Sequence, residues 1–274
     1  MAKTVLIAGA ASGIGRATAE AFLADDWIVW ATARDESDLS DLAEDGCETA
    51  ELDVTNPREC ERVVESLVEA EGRLDCLVNG AGAAQFGAVE DVPTAALHEQ
   101  FDRNVYGPHR LVREALPHMR ARENGTVVNV SSVAGRIAFP NQGAYAASEF
   151  ALEGLSDALR MEVEQFGVDV VLVEPGPVDA AAGGGPDAAP DGLEPTGAYD
   201  WLYRAQEDSN LVGVRDALSV APGAVALTIR DAASASDPEP RYPVGQGAKL
   251  LLMLDYLPAR WRDAAFDVFR TLTS

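Results

Sequence analysis

The sequence predicts an α/β protein, one doubly wound parallel sheet covered by helices on both faces. Two observations carry that reading. From residue 3 to about residue 175, short apolar runs rich in Val, Ile and Leu alternate with longer stretches of helical periodicity. Repeated strand–helix units read this way in sequence. A glycine-rich turn also stands directly between the first run and the first helical stretch, a placement suited to holding a phosphate. The 274 residues, 47% of them hydrophobic, can bury a large core within one α/β domain.

The strands are expected at residues 4–8, 28–33, 48–52, 74–79, 126–130 and 168–173. Their apolarity is nearly continuous rather than alternating, which suits strands buried on both faces. Helical stretches lie between them, at 58–70 and 150–166 among others. In the second, Leu152, Leu155, Leu159 and Val163 recur at helical spacing. After Pro175 the character changes. Residues 180–198, AAAGGGPDAAPDGLEPTGA, are punctuation without periodicity, too long for an ordinary connection. A flexible substrate flap is the favoured reading and a passive linker the alternative. Helices near 199–207 and 223–233, a short strand at 241–244 and helices at 250–254 and 259–272 complete a C-terminal extension. There is no internal repeat. The chain therefore reads as one domain, 1–274, with a regular strand–helix core at 1–175, the candidate for any cofactor-binding and catalytic residues, and the flap and extension at 176–274.

Composition bounds the function. Asp and Glu number 45 against 21 Lys and Arg, a net charge of −24, and only Lys3 and Lys249 are lysines. Such a field repels nucleic acid and anionic lipid, so neither is an expected partner. The acids are spread along periodic segments rather than gathered in a tail. This acidity resembles that of proteins from salt-loving organisms, in which concentrated salt screens self-repulsion. No apolar run approaches the roughly 18 residues that span a membrane. The N-terminal run ends in a glycine-rich turn rather than a cleavage site, so a cytoplasmic location is expected. Cys47, Cys60 and Cys76 are odd in number and lack CxxC spacing, which argues for free thiols and against a zinc site.

The turn reads Gly9-Ala10-Ala11-Ser12-Gly13-Ile14-Gly15. Glycine is needed where the chain turns sharply or where backbone approaches a ligand, and the following helix offers free N–H groups to a pyrophosphate. Its Gly-x-x-x-Gly-x-Gly spacing resembles the first turn of the short-chain dehydrogenase/reductase family. Other motifs join it. Asp53-Val54 resembles the family's adenine-contacting pair. Asn79-Gly80-Ala81-Gly82 resembles its Asn-Asn-Ala-Gly turn. Asn104-Val105-Tyr106-Gly107 matches Asn-x-x-Gly, Ser131-Ser132-x-x-Gly135 matches the serine loop, and Ser132 precedes Tyr145 by thirteen residues. Pro175, Gly176 and Val178 fall on the turn beside the nicotinamide. Arg241-Tyr242-Pro243-Val244-Gly245 and the helices after it resemble the hydroxysteroid and retinol dehydrogenase subgroup. The resemblance covers essentially the whole chain and implies a Rossmann fold, a nicotinamide cofactor and a homo-oligomer formed through the helices after Asn104 and Tyr145.

The second strand ends at Ala33 without the acid that would bond an adenine ribose and repel a 2′-phosphate. Arg34 follows, and its guanidinium can grip that phosphate, so NADP is favoured over NAD. The alternative is that Arg34 pairs on the surface with Asp35 or Glu36.

In the mechanism the resemblance implies, Tyr145 exchanges a proton with the substrate oxygen, Ser132 holds that oxygen and Asn104 orders a water. A lysine one helical turn after the tyrosine eases phenolate formation. Here that position is Glu149. A cation roughly 6 Å away, at an effective dielectric of about 20, is worth about 3 kcal/mol. An ionised Glu149 removes that help and adds repulsion, raising the phenol pKa. A harmless swap within an acidic sequence, a protonated Glu149 and a carboxylate that accepts from ribose hydroxyls remain the alternatives. The family's frequent threonines are also alanine here, at Ala8 and Ala180. Two functions follow: an NADP(H)-dependent oxidoreductase acting on a small-molecule alcohol or carbonyl, perturbed by Glu149, or a non-catalytic cofactor-binding sensor, scaffold or subunit. Trp201, Leu202 and Tyr203 could cover an apolar ligand, or pack on the core or a partner subunit.

Overall fold

The computed structural model describes residues 2–179, 193–207, 218–264 and 267. Most of the expected flap, Ala180 with it, and the end of the expected 259–272 helix lie outside the described residues. Seven strands form one parallel sheet: β1 (Thr4–Ala8), β2 (Ile28–Ala33), β3 (Glu48–Glu51), β4 (Cys76–Asn79), β5 (Gly125–Val130), β6 (Val168–Pro175) and β7 (Arg241–Val244), in the order β3-β2-β1-β4-β5-β6-β7. The order reverses between β1 and β4, and the crevice beyond the carboxyl ends of these strands is where such sheets bind ligands.

Continuous apolarity has the expected consequence. Every residue of β1 and of β4 is buried. Val5 and Ile7 join one core with Phe22 of α1 (Gly13–Leu23) and with Val225 and Ile229 of the late helix Pro222–Ser234. Leu6 and Ala8 join the other, with Val63 and Leu67 of the Pro57–Glu71 helix and Leu111 and Ala115 of the Gly107–Ala121 helix. Alternate side chains of one strand thus feed both layers. Fully burying a side chain such as Phe22 is worth roughly 1.5–3 kcal/mol.

Local signals set the helix ends. The Pro57–Glu71 helix has Asn56 as its N-cap, Pro57 in its first turn and Gly72 beyond its end at φ 70°. The helix expected at 150–166 is Gly143–Val163, seven residues earlier at its start. Its first turns carry Gly, Ala and Ser rather than spaced leucines, so apolar periodicity alone does not reveal them. This places Tyr145 in the first turn of the helix. The helix expected at 250–254 is Gln246–Leu252, followed by a 3₁₀ turn, Met253–Tyr256. The three cysteines are buried free thiols. Among the described residues no helix is long and apolar enough to cross a membrane.

Candidate active site

The glycine-rich turn links β1 to α1 at the strand-order switch. Gly9 has φ 87°, and a Cβ on it would lie 2.7 Å from the Ala81 backbone. A Cβ on Gly15 would lie 2.1 Å from the Gly9 carbonyl oxygen. Only glycine fits either position. Ser12 caps the helix: its Oγ accepts from Gly15 N–H at 3.0 Å and donates to the Gly9 carbonyl at 2.9 Å. Gly13 and Ile14 form the first turn of α1, whose N–H groups open toward the crevice as a seat for a pyrophosphate.

The other expected cofactor residues follow the carboxyl ends of β2, β3, β4 and β6. Arg34 is exposed at the end of β2 and, among the described residues, forms no ion pair. Asp35 accepts instead from Ser37, and Glu36 from Thr49 Oγ1 at 2.7 Å, so neither acid occupies the guanidinium. Asp53 closes a local turn by accepting from the Thr55 N–H and hydroxyl at 2.9 and 2.8 Å. Burial pushes its carboxyl up, but the Thr55 bonds with Arg34 and Arg103 nearby hold it below the usual range. Val54 is buried beside it. Asn79 ends β4 and donates to Asn129 Oδ1 at 2.8 Å, leaving its own buried Oδ1 free to accept. Gly80 N–H bonds the Ala8 carbonyl at 3.0 Å, and Ala81 packs under the glycine turn. After β6, Gly176 N–H bonds Val244 O at 3.1 Å, and Val178 pairs with Val220. These residues, gathered at the carboxyl end of the sheet, could hold a dinucleotide.

Ser132 follows β5 and Tyr145 stands on the Gly143–Val163 helix. The Ser132 hydroxyl lies close enough to the phenol to favour its ionised form. Burial raises the Tyr145 pKa, the Glu149 charge raises it further, and Ser132 opposes both. The Phe86 ring, centroid 6.4 Å from that of Tyr145, adds an apolar wall that the sequence motifs do not mark. Asn104 sits in a π-helical turn, Asp102–Tyr106. Its Oδ1 accepts from Ala83 N–H at 3.0 Å, and its Nδ2 donates to Ala83 O at 3.0 Å, Ser148 Oγ at 3.2 Å and Glu149 Oε1 at 3.0 Å. Glu149 is 4% exposed. Burial lifts its pKa from the ordinary 4.5 to about 8, with Ser131 and Asn104 opposing and Glu153 adding.

The family model for short chain dehydrogenases matches residues 3–187, more than half of the chain. This chain belongs to the short-chain dehydrogenase family. It is 32% identical over 267 residues to the uncharacterized oxidoreductase YbbO of Escherichia coli strain K12, covering 96% of this chain and 93% of that one. It is 31% identical over 277 residues to an NADPH-dependent 3-dehydrocapnine reductase of Ornithobacterium rhinotracheale, covering 95% of each. Its fold is similar to the crystal structure of a short-chain dehydrogenase from Streptomyces avermitilis, with a TM-score of 0.84 and 34% identity across 100% of this chain and 99% of that one.

Within this short-chain dehydrogenase the expected site residues come together, and others join them that the motifs alone do not identify. Ser131 and Glu153 lie against Glu149, and Glu174, Arg136 and Arg241 extend the cluster from β6, the serine loop and β7. Ser131 and Arg241 fall inside the quoted motifs, but nothing in the motifs joins them to Glu149 or Glu153. Of the aromatic group after the flap, Tyr203 donates to Asp91 Oδ2 at 2.7 Å and accepts from Ala88 N–H at 3.1 Å, while Leu202 is buried and Trp201 is 43% exposed. Tyr203 thus anchors its helix, Asp200–Glu207, to the loop at 88–91.

Proposed function

We propose that this short-chain dehydrogenase is an NADP(H)-dependent oxidoreductase that interconverts an alcohol and a carbonyl in a small-molecule substrate. The observation that carries the reading is the Ser132 hydroxyl placed against the Tyr145 phenol, one on the loop after β5 and one in the first turn of the Gly143–Val163 helix. The NADPH dependence named for the Ornithobacterium relative supports the choice of cofactor, as does Arg34, which is exposed and forms no ion pair among the described residues.

Gly9, Ser12, Gly13, Ile14 and Gly15 hold the pyrophosphate. Asp53 and Val54 flank the adenine, and Arg34 grips the 2′-phosphate. Asn79, Gly80, Ala81, Pro175, Gly176 and Val178 border the remainder. The bound nicotinamide supplies or accepts the hydride. Ser132 holds the substrate oxygen, and Tyr145 gives it a proton during reduction and takes one during oxidation. Asn104 fixes the Ala83 loop to the tyrosine helix and orients Glu149. Turnover is slow compared with that of a site carrying lysine at 149, because nothing at that position offers the phenol a positive charge. A homo-oligomer in a cytoplasmic setting completes the proposal. Phe150 and Leu155, exposed on the tyrosine helix, support it, and light scattering tests it.

A second reading, a cofactor-binding protein without turnover, is favoured by one observation: burial and Glu149 both raise the Tyr145 pKa. Titration with NADPH and NADH, combined with a broad carbonyl and alcohol screen in molar salt, separates the two. Binding with turnover supports the enzyme, binding without turnover supports the second reading, and no binding rejects both.

A further inference from the structure

Around Glu149, one helical turn after Tyr145, lies a polar cluster with an unusual pattern of unsatisfied atoms. Glu149, Glu153 and Glu174 are 4%, 4% and 0% exposed. Each has one carboxyl oxygen engaged. Glu149 Oε1 accepts from Asn104 at 3.0 Å, Glu153 Oε2 from Arg241 Nε at 3.0 Å, and Glu174 Oε1 from Arg136 Nη1 at 3.2 Å. The other oxygens, Glu149 Oε2, Glu153 Oε1 and Glu174 Oε2, are buried with no formed hydrogen bond, and so is Ser131 Oγ. Ser131 Oγ nevertheless approaches both the Glu149 and the Glu153 carboxyl groups closely enough to act on each. The space around it is closed, since a Cβ on Gly135 would lie 2.9 Å from both Ser131 Oγ and Glu153 Cγ.

The charges do not balance if every acid is ionised. Glu149 faces Tyr145 and Glu153 on its own helix, Ser131 and Asn104; Glu153 in turn faces Glu174 on β6 and Arg241 on β7, and Glu174 faces Arg241 and, on the serine loop, Arg136. Arg241 also serves Asp157 at 2.7 Å, and Arg136 also serves Asp255 at 2.9 Å, while Arg160 at 2.8 Å and Arg262 at 3.9 Å meet those two acids in turn. Five acids therefore meet four guanidinium groups, and the three buried carboxyl groups meet only two of them. Buried carboxylates without a compensating cation hold a proton instead. Hydrogen-bond direction locates it. The oxygens that accept from Asn104 and Arg241 must keep their lone pairs, so a proton sits on Glu149 Oε2 or Glu153 Oε1, the two oxygens that Ser131 lies near.

We propose that Ser131 and Glu153 are positioning residues of this site, the Ser131 hydroxyl bridging the Glu149 and Glu153 carboxyl groups so that the pair holds one proton in common. The exchange balances without electron transfer. A proton leaves Glu149 Oε2 for Ser131 Oγ as the Ser131 hydroxyl proton passes to Glu153 Oε1, and the reverse restores it. While the pair holds its proton, Glu149 is predominantly neutral and does not oppose a phenolate at Tyr145. When the pair loses it, a full negative charge stands one helical turn from the phenol. The kinetic consequence rests on Tyr145 as the acid–base group; the shared proton itself does not.

Infrared difference spectroscopy of the full chain in H₂O and D₂O reads the protonated carboxyl C=O stretch directly and needs no turnover. A band is expected at neutral pH that Glu149→Gln removes, that Ser131→Ala shifts by deleting the bridge, and whose midpoint falls by about one pH unit in Glu153→Gln as the coupled charge is lost. Ser131→Ala changes one atom and tests the bridge without breaking the Arg241 ion pair. If that variant and Glu153→Gln are folded by circular dichroism, no band in the parent at neutral pH overturns the proposal. A band unmoved by both variants overturns it equally. In a turnover assay, the alkaline limb of kcat is expected to move to lower pH in Glu153→Gln with KM little changed. A protein that shows the expected infrared changes but reduces no carbonyl supports the shared proton and rejects the enzymatic reading.

Discussion

Asn104 and Glu149 meet at 3.0 Å with the amide donating, and the backbone fixes that direction, because Asn104 Oδ1 is already committed to the Ala83 N–H. The amide therefore presents a donor to position 149. A carboxyl oxygen accepts it; a lysine ammonium, which only donates, would not. The acid at 149 is thus matched to its neighbour rather than merely tolerated.

Glu149→Lys sacrifices that bond and brings an ammonium near Glu153. Turnover of a carbonyl substrate is expected to rise and its pH optimum to move toward neutrality, because a cation favours the Tyr145 phenolate. Each unit by which the phenol pKa falls is worth about 1.4 kcal/mol, only part of which reaches the rate. Tyr145→Phe in the same background should abolish the gain. Steady-state rates across pH at saturating NADPH decide it, and a parent already equal to the lysine variant rejects the assignment.

Arg34→Ala should cost NADPH about 1.5–3 kcal/mol of binding, roughly tenfold to a hundredfold, and leave NADH nearly unchanged. The 2′-phosphate is the only group that distinguishes the two ligands, and Arg34 is not tied to Asp35 or Glu36. Calorimetric titrations of parent and variant with both cofactors test this. Equal affinities in the parent would remove the preference.

Stability should fall as pH rises from about 5 to 8. Glu149 titrates near its ordinary 4.5 when unfolded and at about 8 when folded, so between those values the folded chain binds the extra proton. Its contribution is fully present below the lower value and is lost as pH rises through the upper one. Glu153, lifted to about 7 by burial first and Glu174 next, acts in the same direction. Thermal melts across this range should flatten in Glu149→Gln. A parent melting temperature that climbs with pH would contradict the buried-acid assignment.

Removing salt should lower the melting temperature of the parent, since a net charge of −24 is then poorly screened. Melts at low and molar salt measure it. Insensitivity to salt would end the case for halophilic adaptation.

The sequence by itself determined which segments form the parallel sheet and marked Gly9, Ser132 and Tyr145, while the strand order came from the tertiary structure. Those signals are local: unbroken apolarity marks a strand covered on both faces, and the turn requires glycine whatever surrounds it. It also showed that position 149 is acidic, but not what that acid does. Only the tertiary structure brought Asn104 from its π-helical turn and Ser131 from the serine loop to that carboxyl, and Glu174 from β6 and Arg241 from β7 to its neighbour Glu153. The meaning of a buried charge depends on the neighbours that replace its water, and in this cluster they come from segments up to 88 residues apart in the chain.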